Sequence, residues 1–139
     1  MKIFITLSKR SIAVILASVI IALLLTAQVF SAKIQRIDGS TNALRVEYLK
    51  SLKLDTDDTN VQSKEITIPQ SFSDVYKEYN SLQKKAGFDL SKYKGKSATV
   101  YTYDVSGSER QIHLIVCDGN VIGGDIADIK IDGEMRPLR

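Results

Sequence analysis

Cysteine occurs once, histidine once, proline twice and tryptophan not at all in these 139 residues. A single thiol, Cys117, cannot close a bridge within the chain, so counting alone excludes a disulfide framework or a cysteine-built metal cluster. Also absent are a phosphate-binding loop, a dinucleotide fingerprint, a zinc-ligand pattern and the strained serine elbow of hydrolases. Excess basic charge is missing from most of the chain as well, because Lys2, Lys9 and Arg10 account for the whole net +3. From residue 33 onward cations and anions balance, which removes the electrostatic case for a nucleic-acid partner. Disorder is excluded in turn, since 44% hydrophobic and 25% charged residues are the proportions of a chain with a core.

Charge is lacking altogether between Ser11 and Ala32, and residues 12–25 are nearly pure Ile, Leu, Val and Ala. About 20 helical residues at 1.5 Å each cross a hydrocarbon core about 30 Å thick, so the run is long enough to span a membrane. Small residues around Val29-Phe30-Ser31 leave cleavage as the alternative to a retained anchor. A lipoprotein is excluded, because no cysteine follows the run. The basic cluster ahead of it favours an amino terminus inside the cell and the rest of the chain outside. The expected organisation is a cytoplasmic basic tail at 1–10, a transmembrane anchor or uncleaved signal at 11–32, a stalk at 33–39 and one extracytoplasmic domain at 40–139. Removing the first 32 of 139 residues leaves 107, enough for one core and too few for two domains.

Ser40, Thr41 and Asn42 offer three helix caps in a row, and Leu44, Tyr48, Leu49 and Leu52 recur at helical spacing up to Lys53. Residues 55–60 read as a polar loop and 64–68 as a short strand with Ile66 and Ile68 on one side, ended by Pro69. Ser71 with Asp74 three residues on resembles a capping box. Phe72, Val75, Tyr76, Tyr79, Leu82 and Ala86 then form the stripe of a helix lying on a sheet, closed by Gly87 with Phe88 as the apolar contact of the cap. After a loop at 88–96 the period changes to two, and residues 97–105, 110–117 and 120–131 read as an antiparallel meander.

Asp118-Gly119 marks a two-residue hairpin, whose central residues both need positive φ. On that turn Cys117 pairs with Asn120, Val116 with Val121, Ile115 with Ile122 and His113 with Gly124. Large side chains then meet Gly123 and Gly124, the pattern of a bulge or of a close approach by another element. Apolar positions change phase beyond this point, from Ile122 and Ile126 to Ile129 and Ile131, which asks for a bend near 125–128. The expected fold class is α+β, with two helices packed on one face of a small antiparallel sheet and residues 64–68 as its fourth strand.

Between Asn42 and Met135 the chain shows an ordered run of short motifs. Asn42, Arg45, Tyr48, Leu49, Ser51 and Leu52 come first, then Ile66-Thr67-Ile68-Pro69. Phe72, Val75-Tyr76, Tyr79-Asn80, Leu82-Gln83, Gly87-Phe88-Asp89-Leu90, Tyr93-Lys94-Gly95-Lys96 and Tyr101-Thr102-Tyr103 follow. Asp118-Gly119, Val121-Ile122-Gly123-Gly124-Asp125-Ile126, Asp132-Gly133 and Met135 complete it. This run resembles an uncharacterised bacterial family, known only as a domain of unknown function, of small proteins with an amino-terminal membrane segment. Lys53-Leu54 departs from it, standing where the family has Gly-Trp. The resemblance implies a membrane-anchored domain facing outward, and brings no activity, ligand or catalytic residue with it.

Chemistry is sparse. Cys117 and His113 share a face of one strand, but four residues at about 3.3 Å each hold them about 13 Å apart, too far for a nucleophile and its base. Asp55, Asp57 and Asn60 suggest a calcium loop, yet Asn60 stands where the turn needs glycine and Ile66 where a bidentate Glu belongs. Asp125, Asp128, Asp132 and Glu134 read as solvated acids that deter edge pairing. Lys84, Lys85, Lys92, Lys94 and Lys96 concentrate positive charge in a neutral domain, and in an extended loop Lys92, Lys94 and Lys96 would align on one side with Tyr93 turned inward. The expectation is a non-enzymatic interaction module with no cofactor and no metal, held to the membrane by its amino-terminal helix. Its partner would be an envelope protein or an anionic wall polymer, and its candidate binding residues are Lys92, Lys94, Lys96 and Asp125. The alternatives are a small envelope hydrolase working with carboxylates such as Asp125, and a peptide-binding inhibitor that uses a sheet edge.

Overall fold

The computed structural model describes residues 14–20, 36–130 and 132–139. It divides into two units, Met1–Gln35 and Arg36–Arg139. In the first, residues 14–20 are helical; the basic tail and the remainder of the expected membrane run lie outside the described residues. Among the described residues no helix is long and apolar enough to cross a membrane.

The second unit begins with β1 (Ile37–Asp38), so the end of the expected stalk belongs to the sheet. Then come α1 (Asn42–Ser51), β2 (Thr56–Thr67), α2 (Asp74–Lys85), a 3-10 turn (Leu90–Tyr93), β3 (Ser97–Val105), β4 (Arg110–Cys117), β5 (Asn120–Asp128) and β6 (Met135–Pro137). All strand pairs are antiparallel, in the order β1-β5-β4-β3-β2, with β6 also beside β5. The class is α+β, as the periodicities indicate.

The helices do not share a face. Tyr101, Tyr103, Ile112, Leu114 and Val116 point to one side, where Val46 and Leu49 of α1 cover them. Ala98, Val100, Ile115 and Cys117 point to the other, beneath Phe72, Tyr76 and Tyr79 of the α2 segment and Leu90 and Tyr93 of the 3-10 turn. The expectation of two helices on one face fails because β3 and β4 are apolar on both sides, and a strand with two apolar sides needs two covers. On the α1 side the buried guanidinium of Arg45 lies 3.5 Å from the Tyr101 ring centroid and donates to Tyr103 Oη and Gly39 O, while Tyr103 donates to Asn42 Oδ1.

Local boundaries also differ from expectation, β5 ending at Asp128 rather than at residue 131. β2 spans Thr56–Thr67 rather than 64–68: Thr56 and Asp57 pair with Val105 and Asp104, the register shifts, and Gln62 to Thr67 then run unbroken along β3. Its polar composition hid it, since an edge strand needs only one apolar neighbour. α2 is capped by Ser73, whose side chain accepts from the Tyr76 amide, and not by Ser71. Val75 is consequently 78% exposed and drops out of the apolar stripe. The far end follows the expected cap: Gly87 has φ +82°, the Phe88 amide donates to Gln83 O and the Gly87 amide to Lys84 O.

The β4–β5 hairpin turns on Asp118 (φ 49°) and Gly119 (φ 75°), both in the left-handed region as expected. Cys117 pairs with Asn120 and Val116 with Val121, but Ile115 then pairs with Gly123, leaving Ile122 as an extra residue. That bulge slips the register by one, so Leu114 meets Gly124, and His113 meets Asp125 rather than Gly124. The glycines are there for room: a Cβ on Gly123 would come within 3.0 Å of Gln83 Oε1, and one on Gly124 within 2.6 Å of His113 O. β5 bends away after Asp128.

Candidate functional site

The slipped register assembles a polar group inside the sheet face under α2. Asp125 is 2% exposed, and its Oδ1 accepts from His113 Nδ1 at 2.8 Å. Its Oδ2 accepts from Tyr79 Oη at 2.7 Å, a contact 46 residues away in sequence that ties α2 to β5. Because a carboxylate only accepts, Nδ1 of His113 carries the proton at this contact. The hydrogen bond to Asp125 raises the His113 pKa above its ordinary value, against the opposing effect of burial. Burial first, and then the Asp125 charge, push the Tyr79 phenol far above its usual range. The expectation of a solvated Asp125 is thereby corrected: one inserted residue turns it from an edge acid into the centre of a buried network.

A histidine backed by a buried carboxylate supplies two members of a nucleophilic triad, and among the described residues no nucleophile is hydrogen-bonded to His113 as the third. Cys117 is 3% exposed, with its thiol pushed up by burial. Thr102 lies opposite His113 on β3, but among the described residues His113 makes no hydrogen bond to it. Among the described residues no group of three or more His, Cys, Asp or Glu side chains gathers as a metal site. Asp57, read as part of a calcium-like loop, instead accepts from the amide and hydroxyl of Thr59.

The lysine segment is built by α2 rather than by extended chain. Asn80, buried, accepts from the Leu90 amide and donates to Asp89, and Asp89 caps the 3-10 turn through Ser91. The Ser91 hydroxyl leads the contacts that hold the Asp89 carboxyl at about 2. Lys92 sits in that turn, so the alternation expected of an extended loop does not apply. Lys94 Nζ lies 4.9 Å from the Phe72 ring centroid, Lys96 pairs with Asp118 at 3.2 Å, and Lys84 stands 3.9 Å from Asp89. Tyr93 is half-buried against the apolar cluster, turned inward as expected. The structure therefore keeps Lys92, Lys94 and Lys96 in one segment and separates them from Asp125, which lies beneath α2.

The sheet edges offer the remaining surface. Beside β2 and β3 a shallow depression of about 360 Å³ is lined by Glu65, Ile66, Thr67, Ser97, Ala98 and Thr99. The outer side of β2 has no strand beside it among the described residues. Sequence reasoning missed the Tyr79–Asp125–His113 network. The signal that could have found it was the double glycine set opposite large side chains, a pattern that fits an inserted residue beside it.

A family model described as Domain of unknown function (DUF4830) matches residues 52–126, more than half of the chain. No curated protein and no solved structure matches it.

Proposed function

This chain belongs to the DUF4830 family, and from that premise we propose that it is a non-enzymatic interaction module, anchored in a membrane by residues 11–32 and displayed outside the cytoplasm. The observation that supports a binding role most is the state of its reactive groups: the thiol is buried, and Asp125 is enclosed between His113 and Tyr79. A hydrolase working through Asp125 would need that carboxylate within reach of substrate. What the domain offers to solvent instead is the cationic segment with Lys92, Lys94 and Lys96, suited to an acidic envelope protein or an anionic wall polymer. Asp125 serves this reading as the support that fixes α2 on the sheet, with neither metal nor cofactor required.

Retention of the full-length protein on anionic wall material tests the reading. Changing Lys92, Lys94 and Lys96 together to Gln should abolish salt-sensitive retention while lowering stability by about 1 kcal/mol, since the Lys96–Asp118 pair and the Lys94–Phe72 contact it breaks both involve exposed lysines. Equal retention of variant and parent at low salt would refute the electrostatic form of the reading. Resistance to alkaline extraction, with digestion by protease added outside intact cells, checks the anchor and its orientation. A second mode of binding, through a sheet edge, is favoured by the uncovered outer side of β2.

A further inference from the structure

The two edges of the sheet are finished in opposite ways. On the β5 side, β1 pairs with Asn120 and Val121, and β6 pairs with Asp125, Ile126 and Ala127. Between them the amide of Gly124 is met by Gln83 Oε1 at 2.8 Å, from a side chain with no exposed surface. The fold thus covers the outer side of β5, ending there in strands of only two and three residues, with a helix side chain where no strand reaches. On the β2 side, residues 62–67 pair in unbroken register with β3 and have no strand on their outer side among the described residues. The irregularity that would spoil an edge for pairing is confined to the stretch between Asp57 and Gln62.

The ladder shows which groups are offered. Ile68 donates to Lys96 O and accepts from the Gly95 amide, so in an alternating antiparallel ladder residues 62, 64 and 66 bond to β3. The amides and carbonyls of Ser63, Glu65 and Thr67 then point outward. Lys64 and Ile66 stand on the α2 face, opposite Val100 and Ala98, and Glu65 stands on the other.

A second copy of the chain is a poor occupant. Across a two-fold axis normal to the sheet, the central residue of an antiparallel pair faces its own copy. The two longest registers within residues 62–67 centre on Lys64 or on Glu65, and each sets like charge against like charge. A different chain meets no such conflict.

We propose that the outer edge of residues 62–67 binds an extended segment of another protein as an added antiparallel strand. That segment carries consecutive apolar, basic and acidic residues in this order from its amino end, which set an apolar side chain against Ile66, a cation against Glu65 and an anion against Lys64. The proposal rests on the reading of this domain as an interaction module and names the chemistry of its partner.

The test uses the full-length protein in detergent and a fluorescent, end-capped six-residue peptide, Thr-Val-Lys-Glu-Thr-Thr, followed by anisotropy. The parent should bind it and prefer it over a peptide with Lys and Glu exchanged. Glu65→Pro removes an outward amide and no β2–β3 hydrogen bond, so it should weaken binding about tenfold or more with the melting temperature little changed. Lys64→Glu with Glu65→Lys, which leaves the backbone untouched, should invert the preference between the two peptides. Binding indifferent to Lys-Glu order, or undiminished by Glu65→Pro, would overturn the proposal. So would a dimer of the parent that Glu65→Pro abolishes, because the edge would then belong to a second copy. If peptide binding fails while lysine-dependent retention on wall material persists, the edge assignment falls and the module reading stands. If both fail, both fall.

Discussion

Replacing Tyr79 by phenylalanine keeps the ring that meets Tyr76 edge-on at 5.9 Å and removes only the hydroxyl that donates to Asp125 Oδ2. Asp125 is 2% exposed beneath the helix, so its carboxylate depends on protein donors. A hydrogen bond to a charged group contributes about 1.5–3 kcal/mol, and leaving one carboxylate oxygen buried without a donor puts the loss in the upper part of that range. At roughly 4–8 °C per kcal/mol for a domain of this size, Tyr79→Phe should lower the melting temperature by roughly 10–20 °C. Urea unfolding of residues 36–139, followed by circular dichroism, should show the midpoint falling at constant slope. A loss below about 0.5 kcal/mol would refute the claim that Tyr79 anchors α2 through its hydrogen bond to Asp125.

The same network sets a pH dependence. His113 is favoured in its charged form in the fold, chiefly by its hydrogen bond to Asp125, so its contribution is complete below the ordinary value of 6.5 and is lost as pH rises through the raised value. The urea midpoint of the parent should therefore fall across that interval, and His113→Gln should flatten the decline; an unchanged profile in the variant would assign the pH dependence elsewhere. Gly124→Ala should destabilise far more than Gly123→Ala, because the new methyl meets the fixed backbone oxygen of His113 at 2.6 Å in the first case and side-chain atoms at 3.0 Å or more in the second. Comparable melting temperatures for the two variants would count against the close approach at the bulge.

Features decided by adjacent residues were legible in the sequence: the period-two runs of β3 and β4, the Asp118-Gly119 turn and the Gly87 cap all stand where local chemistry puts them. What escaped was decided at a distance. The distribution of the helices over two faces depends on both sides of β3 and β4 at once, whereas a helix stripe reveals only that some face is covered. β2 extends beyond the alternation at 64–68 because residues 56–63 hold little apolar character, and their partner, not their composition, makes them a strand. The candidate site turned on a single inserted residue: placing Ile122 in the ladder sets Asp125 opposite Ile112 on the α1 side, and leaving it out sets Asp125 beside His113 and beneath Tyr79. Lys92, Lys94 and Lys96 were visible as charge, but the 3-10 turn that arranges them depends on Asn80 and Asp89, which composition does not single out.

The reading of this domain as an interaction module is tested most directly, at the outer edge of β2, by site-specific photo-crosslinking in intact cells. A photoreactive residue at Ser63 in the full-length protein, with one at Lys50 on the exposed side of α1 as control, reads the edge without assuming the partner's identity. The account predicts a discrete adduct with another protein from position 63, absent from position 50, removed by Glu65→Pro and competed by the six-residue peptide. No adduct beyond the control, or an adduct joining two copies of this chain, would contradict it.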